Sequence, residues 1–277
     1  MATGSTFGNK IRPGSQAHIE TFTSANSELA RFLYPFRWRD TVYVMDDFTG
    51  AALNTHLWTA AKIASNGTDF DPPATQLANG VCQGVTGAVA GDHVNLRSDA
   101  VWLGDNNVGI EIRLKVDNID DAQWEFGLTD PLTGYTATAS SIINDIDTPT
   151  ITNGATDVAL IGQDTGQTLT TMAFITDGST TNMNTTKTNL GTLTPTNATY
   201  LTMRVQLAKT ASAVAAAHAY VFNDVDQLTD EAQHGSALAS QIKGSVLMES
   251  RLYWEALTTS ARTIDVDYIA IWQDRVR

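Results

Sequence analysis

Alternation of apolar and polar residues with a period of two is the dominant pattern along this chain. In Val108–Val116, five apolar residues alternate with positions that include Glu111, Arg113 and Lys115. Residues 201–207 and 124–128 repeat the pattern with aliphatic and aromatic residues. Because successive side chains of a strand point to opposite faces, each run predicts a β-strand with one face buried in a core.

Further short strands and frequent turns extend this prediction along the chain. Asn153-Gly154 and Asp177-Gly178 are among the turn signals between them. Many short strands with frequent turns predict an all-β sandwich or barrel. One short helix is predicted over Thr229–Lys243, with Thr229 as its N-cap and Gly244 beyond its end. The additional candidate strands are Thr41–Met45, Val158–Ile161, Leu169–Thr176, Ala219–Phe222, Arg251–Leu257 and Thr263–Trp272.

Composition and charge exclude several classes of protein. The 277 residues carry a net charge of -13, which opposes binding to nucleic acids and to anionic membranes. The single cysteine, Cys82, can form neither an internal disulfide nor a thiolate zinc site. The first 28 residues contain no apolar run of the kind found in secretory signals. We therefore expect a soluble protein that is made in the cytoplasm.

The charge is distributed unevenly, and this divides the chain in two. Residues 1–40 contain five basic and three acidic side chains, a net of +2, so residues 41–277 carry -15. We predict an extended N-terminal arm over residues 1–40 and a β-sandwich over residues 41–277. Within the arm, four aromatic residues alternate over Phe32–Trp38 and arginines flank them. Two interpretations remain open: this cluster packs on its own sandwich as a first strand, or it docks on another chain.

Three segments resemble the concanavalin A-like lectin/glucanase sandwiches. Asp46–Trp58 resembles their opening strand, Trp124–Asp130 a middle strand, and Arg262–Gln273 the closing strand. This resemblance implies two curved antiparallel sheets in which the first and last strands meet. The layout of a polar arm followed by a Thr-rich acidic sandwich also resembles the decoration or minor capsid proteins of tailed bacteriophages.

Acidic residues do not show the spacing that hydrolysis by this fold requires. A glucanase needs two carboxylates flanking one glycosidic bond, but Glu111 is followed at i+2 by Arg113, and Glu125 has no acid at i+2. Of three Asp-x-Asp pairs, only Asp265/Asp267 lies in a strand-like run, where the two side chains share a face. We interpret it as a structural contact, with a calcium site and a catalytic dyad as weaker alternatives. The other pairs, Asp145/Asp147 and Asp224/Asp226, are predicted to lie in turns.

Tryptophans are the other candidates for a ligand site, because exposed aromatic rings stack on sugars. Trp102 lies in a polar context and is the better candidate for partial exposure. The remaining tryptophans of the predicted strands are expected in the core, and these are Trp58, Trp124, Trp254 and Trp272.

We expect a non-enzymatic virion structural protein that decorates a phage capsid through its arm and needs no cofactor. Its expected partner is the major capsid protein or another virion protein, together with copies of itself in a homo-oligomer, and its expected location is the virion, assembled in the host cytoplasm. A carbohydrate-binding module on a virion or cell surface and a glycoside hydrolase of the same fold are the alternatives. The predicted partner-binding residues are Phe7, Arg12, Phe22, Arg31, Phe32, Tyr34, Phe36, Arg37, Trp38 and Arg39.

Overall fold

The structure is a computed structural model that describes residues 41–63, 67–73, 80–131, 141–166, 171–178, 186–191, 199–209, 215–234, 242 and 245–275. No described stretch forms a helix long and apolar enough to cross a membrane. A 3₁₀ turn spans Gly104–Asn106. The strands are β1 (Thr41–Asp46), β2 (Trp58–Ile63), β3 (Thr68–Asp71), β4 (Cys82–Val85), β5 (His93–Ser98), β6 (Trp102–Leu103), β7 (Gly109–Val116), β8 (Ala122–Thr129), β9 (Val158–Asp164), β10 (Met172–Asp177), β11 (Thr186–Leu190), β12 (Leu201–Lys209), β13 (Ala215–Phe222), β14 (Leu228–His234), β15 (Leu247–Ala256) and β16 (Thr263–Asp274).

The strands form two antiparallel sheets that pack face to face, which confirms the predicted sandwich. Sheet A has the order β14-β13-β12-β7-β16-β4-β3, with β1 also paired to β16. Sheet B has the order β11-β10-β9-β8-β15-β5-β2, with β6 also paired to β15. The first and last strands meet, as the resemblance implied. Most of the buried apolar residues lie in one continuous core between the sheets, with Trp124, Trp254 and Phe126 at its centre.

A β-bulge keeps the long closing strand in register with this core. Ile264 and Val266 point inward, and the pairing of β16 with β7 then shifts between Val266 and Tyr268. The extra residue reverses the alternation, so that Ile269 and Ile271 point inward again. Outward positions consequently alternate on both sides of the bulge, and β16 can supply polar side chains to the outer face of sheet A along its whole length.

The predicted turn at Asn153-Gly154 is confirmed, whereas Asp177 is the last residue of β10 and the residues after Gly178 lie outside the description. Asn153 and Gly154 both have positive φ angles, 57° and 75°, as expected for an Asn-Gly turn. The Asp145 carboxylate accepts hydrogen bonds from the backbone amides of Asp147 and Thr148 and from the Thr148 hydroxyl. The bonds from Thr148 lower the pKa of Asp145. This carboxylate therefore caps its own turn.

The predicted helix over Thr229–Lys243 is wrong for the residues that the structure describes. Leu228–His234 forms β14, which pairs with β13. Instead of capping a helix, the Thr229 hydroxyl donates to the carbonyl of Val221. Ala232 and His234 alternate inward, so that packing at the edge of sheet A overrides the local helix signals.

The burial of the tryptophan side chains differs in part from the prediction. The four that were expected in the core are all buried, but Trp272 alternates with the inward residues Ile269 and Ile271 and lies on the outer face of sheet A, outside the core. Trp102, expected to be the more exposed, is also buried at 5% exposure, because β6 lies against β15. Its indole N–H donates to the Ser98 hydroxyl over 3.3 Å. Trp102 is therefore not a stacking platform for a sugar.

Candidate functional site

All of the predicted partner-binding residues, from Phe7 to Arg39, lie outside the described residues. Among the described residues, Asp265 and Asp267 are the sites that the sequence singled out. Asp265 accepts a hydrogen bond from Gln83 at 2.7 Å and lies 3.4 Å from the Lys115 ammonium. Asp267 accepts a bond of 2.6 Å from the Arg113 guanidinium. Each carboxylate thus has its own cation, which fits a structural contact better than a calcium site.

A second, denser polar cluster lies on the outer face of sheet B. Four polar residues alternate along β15, and their partners across β8 and β5 fall on the same face. Tyr253 is directly opposite both Glu125 and Asn95, while Glu255 is opposite Gln123 and His93. We call this set the sheet B polar layer, and it consists of His93, Asn95, Gln123, Glu125, Glu249, Arg251, Tyr253 and Glu255. All of them except the partly exposed Glu255 are buried.

Glu125 at the centre of the layer is held by the backbone. Its two carboxylate oxygens accept hydrogen bonds from the amides of Ile142 at 2.9 Å and Ile143 at 2.7 Å. Burial raises the pKa of Glu125, against the opposing effects of Arg251 and of these two amides. The two main-chain donors fix the orientation of this buried carboxylate and tie it to the segment that contains Ile142 and Ile143.

The segment that supplies these amides lies over the outer face of sheet B. Ile142, Ile143 and Ile146 are fully buried in a second small core against outward residues of β9 and β10. Gly162, opposite Glu125 on β9, leaves room for them: a Cβ there would come within 3.1 Å of the Ile146 side chain. The described part of this segment, residues 141–157, therefore closes the half of sheet B that lies beyond β8.

Other members of the layer also form hydrogen bonds, or have pKa values that burial shifts so that the neutral form is favoured. The Tyr253 hydroxyl donates to the Glu255 carboxylate. Burial raises the pKa of both groups, with Glu255 adding to the effect on Tyr253. Burial also raises the pKa of Glu249 to about 7 and lowers the pKa of His93. Shifted pKa values in a cluster mark a candidate functional site, but they arise equally in buried structural networks.

Hydrolysis by this layer meets a geometric obstacle. The two central carboxylates, Glu125 and Glu255, lie on neighbouring strands, and the charge of Glu255 adds to the rise in the pKa of Glu125 that burial causes. General acid–base catalysis needs both to reach one bond. Here one binds main-chain amides and the other binds Tyr253. No group of three or more metal-ligating side chains occurs among the described residues.

The sequence analysis missed this layer, although a signal was present. Glu249-Ser-Arg251-Leu-Tyr253-Trp-Glu255 alternates polar and apolar residues with a period of two. That pattern predicts a row of polar side chains on one face of β15. The cross-strand partners Glu125 and His93 are far away in sequence, and only the register brings them to the row.

Comparison with known proteins supports the fold. No family model matches the chain, and no curated protein matches it. The carbohydrate recognition domain of Emp47p matches with a TM-score of 0.53 at 9% identity, over 86% of this chain and 98% of that one. An endo-1,3-beta-glucanase (laminarinase) from Thermotoga petrophila RKU-1 matches with a TM-score of 0.52 at 10% identity, over 86% and 99%. A protein of unknown function from Shewanella oneidensis MR-1 matches with a TM-score of 0.52 at 11% identity, over 86% and 90%.

These likenesses establish the concanavalin A-like lectin/glucanase fold and nothing finer. The fold is found in lectins and in glycoside hydrolases alike, so it does not select between binding and catalysis. Function has to be argued from the side chains of this chain.

Proposed function

We propose that this chain is a non-enzymatic structural protein that decorates the capsid of a tailed bacteriophage through its N-terminal arm. The observation that carries the proposal is the closure of sheet B by the chain itself. Glu125, the central carboxylate of the polar layer, is fully buried, and both of its oxygens accept main-chain hydrogen bonds. A sandwich whose polar face is used to hold its own segment serves as a scaffold rather than as a catalyst.

The arm and the charge of the sandwich support the location on a virion. Residues 1–40 have a net charge of +2, and their aromatic and arginine residues are of the types enriched in protein interfaces. Residues 41–277 carry -15, which would keep decorated particles apart in solution. In this proposal the major capsid protein is the partner, and residues 1–40 supply the contacts with the shell.

Co-sedimentation with capsids tests the proposal. Shells assembled from the major capsid protein of the same genome are mixed with the chain and separated on a density gradient. We expect the full chain to move with the shells and the Phe7→Asp/Phe22→Asp variant to remain at the top. A Val225→Asp variant, changed in an exposed turn of the sandwich, is the matched control and is expected to bind. Failure of the full chain to bind would refute the proposal.

The alternatives predict other results with the same protein. A glycan array that gives a specific signal would favour a carbohydrate-binding module. Release of reducing ends from a β-glucan, abolished by Glu125→Gln, would establish a glycoside hydrolase. The proposal expects neither result.

A further inference from the structure

One histidine, His234, connects the edge of sheet A with the edge of sheet B. Among the described strands, β14 is the outermost strand of sheet A and β11 is the outermost strand of sheet B. The two ring nitrogens of His234 lie 2.7 Å from the Thr176 hydroxyl of β10 and 2.9 Å from the Thr188 hydroxyl of β11. A single imidazole therefore contacts both edge strands.

The ring of His234 lies at the rim of the sandwich, between the core and solvent. It stacks on Phe174 of the main core, with ring centroids 4.6 Å apart and an angle of 26° between the planes. His234 and Thr176 are both buried. Thr188, by contrast, is exposed, so solvent reaches one of the two partners of the ring.

Charged and titratable side chains of the described strands around the ring either point away from it or lie at a distance. Asp230 has the same alternation as His234, but it lies four residues earlier on β14, about 13 Å away. The others alternate to the outer faces of their sheets, and they are Asp177, Lys187, His218, Tyr220 and Glu231. None of the described groups on β10, β11, β13 and β14 is therefore placed to compensate a charge on the ring.

Protonation changes the energy of this contact. In the neutral ring one nitrogen donates and the other accepts, and the threonine hydroxyls can serve either role. A second proton makes both nitrogens donors and places a positive charge between the sheets, which burial opposes. Burial accordingly lowers the pKa of His234 to about 4. At a mildly acidic pH the ring takes up a proton more readily when β14 has moved away from sheet B and water reaches it.

We propose that His234 is a pH-sensitive latch, which holds β14 against sheet B at neutral pH and releases it in acid. Release does not require the sandwich to unfold, because β14 lies at an edge and edge strands can open locally. Among the described strands β14 pairs with β13 alone, so its departure disturbs one ladder. The inference goes beyond the proposed function and does not depend on it.

Release of β14 would uncover the edge of β13. The backbone groups of Ala217–Val221 now pair with β14 and would become free for another strand. The sequence of β13, Ala-Ala-Ala-His-Ala-Tyr-Val-Phe, contains no acidic or basic residue apart from His218. An edge without such charges is poorly protected against pairing with other chains. The latch therefore keeps an adhesive edge covered at neutral pH.

Hydrogen–deuterium exchange of the full chain, corrected for the intrinsic effect of pH, tests the latch. We expect the protection of the amides in Leu228–His234 to fall by roughly ten-fold or more between pH 7 and pH 5, because the ring has its ordinary pKa in the open state. Amides of Gly109–Val116, in the middle of sheet A, should not lose protection over this range. Equal protection of β14 at both pH values would overturn the proposal.

Two histidine variants assign the effect to one ring. His234→Gln keeps a donor and an acceptor but cannot be protonated, so β14 should stay protected at pH 5. His218→Gln is the matched control, because His218 lies on the neighbouring strand and alternates to the opposite face. This control should lose protection in acid as the parent does. A loss in His234→Gln as large as in the parent would overturn the proposal.

A direct titration covers the case in which His234→Gln fails to fold. In the NMR spectrum of the parent chain, the ring signals of His234 should titrate well below pH 6.5, and β14 should lose protection over the same pH interval. A ring that titrates near pH 6.5 while β14 stays protected would overturn the proposal, because its protonation would then require no opening. Neither measurement depends on binding to capsids, so the latch and the proposed function can fail separately.

Discussion

The two outer faces of the sandwich each bury a glutamate, and they satisfy it in opposite ways. On sheet B, Glu125 accepts hydrogen bonds from two main-chain amides. On sheet A, Glu111 accepts them from the Arg204 guanidinium and from the Tyr268 hydroxyl at 2.8 Å. Amides carry no net charge, so burial dominates and raises the pKa of Glu125. On sheet A burial lowers the pKa of Arg204, and the attraction of Glu111 opposes it.

The difference shows how each face is closed. The sheet B face is completed by a described local segment, residues 141–157, which needs one carboxylate as an attachment point. The sheet A face contains a buried ion pair between two strands, with guanidinium nitrogens still directed outward. On sheet B the described hydrogen bonds to Glu125 come from uncharged amides, whereas on sheet A both partners of the buried pair carry charge and each requires compensation. The experiments below test this contrast.

The largest effect is expected from removing the buried cation. Arg204→Met should lower the free energy of unfolding by about 3–5 kcal/mol, because Glu111 is left buried without its counter-charge. Urea denaturation followed by tryptophan fluorescence measures the loss. The double variant Arg204→Met/Glu111→Gln is the control and should recover a substantial part of it. If Arg204→Met is as stable as the parent, water must reach Glu111 on the outer face of sheet A. The contrast between the two faces would then be refuted.

A smaller effect is expected where Glu125 accepts the main-chain hydrogen bonds of Ile142 and Ile143. Glu125→Ala leaves the amides of Ile142 and Ile143 without acceptors, which should cost about 2–3 kcal/mol of unfolding free energy. We also expect faster proteolytic cleavage within residues 141–157, because the attachment point of that segment is gone. Limited proteolysis with mass mapping checks this. Glu255→Gln, which changes the same layer but leaves both amides bonded, should not increase the cleavage rate.

The contact between β14 of sheet A and strands β10 and β11 of sheet B should become less stable in acid. The two ring nitrogens of His234 on β14 lie 2.7 Å from the Thr176 hydroxyl and 2.9 Å from the Thr188 hydroxyl, on β10 and β11. Burial lowers its pKa from 6.5 to about 4, so the folded state favours the neutral ring. The stability that this provides is complete above pH 6.5 and is lost as the pH falls toward 4, by on the order of 2 kcal/mol. Because Glu249 acts in the opposite direction over the same pH range, thermal unfolding of the Glu249→Gln variant between pH 7.5 and 4 should show the loss most clearly.

Two variants separate this edge from the sheet B layer. His234→Gln keeps a donor and an acceptor and should flatten the decline between pH 6.5 and 4. Glu249 has the opposite sign: burial raises its pKa from 4.5 to about 7, so the stability that it contributes is present below pH 4.5 and is lost as the pH rises to 7. Glu249→Gln should therefore remove a loss between pH 4.5 and 7, an interval in which His234 acts with the opposite sign. If His234→Gln loses stability between pH 6.5 and 4 as steeply as the parent does, His234 is not the cause of that decline.

Sequence reasoning found the sandwich because alternation reports which residues share a face. The run ending in Val116 became β7, and the residues around Met203 became β12. Alternation does not report whether the second face is covered. Arg204 and Glu125 both occupy polar positions that the pattern suggests are solvated, yet both are buried. Their burial depends on cross-strand partners and on segments that only the three-dimensional register brings together.

The prediction of a helix after Thr229 was wrong for a related reason. Cap and charge signals are local, whereas an edge strand gains its hydrogen bonds from its neighbour, here β13. The acids of the polar layer do not have the i and i+2 spacing that marks a catalytic pair on one strand. On β15 the acids Glu249 and Glu255 are six positions apart, with Arg251 and Tyr253 between them.

The smallest effect is expected at the partly exposed ion pairs of sheet A, which contrast with the buried pair beside them. The Arg113 and Asp267 side chains are 27% and 22% exposed. Solvent screens them, so Asp267→Asn should cost less than about 1 kcal/mol of unfolding free energy. Because Arg113 and Lys115 already neutralise Asp267 and Asp265, EDTA and millimolar CaCl₂ should leave the Tm unchanged in differential scanning fluorimetry. A Tm that rises with CaCl₂ in the parent but not in Asp267→Asn would instead identify these carboxylates as a calcium site.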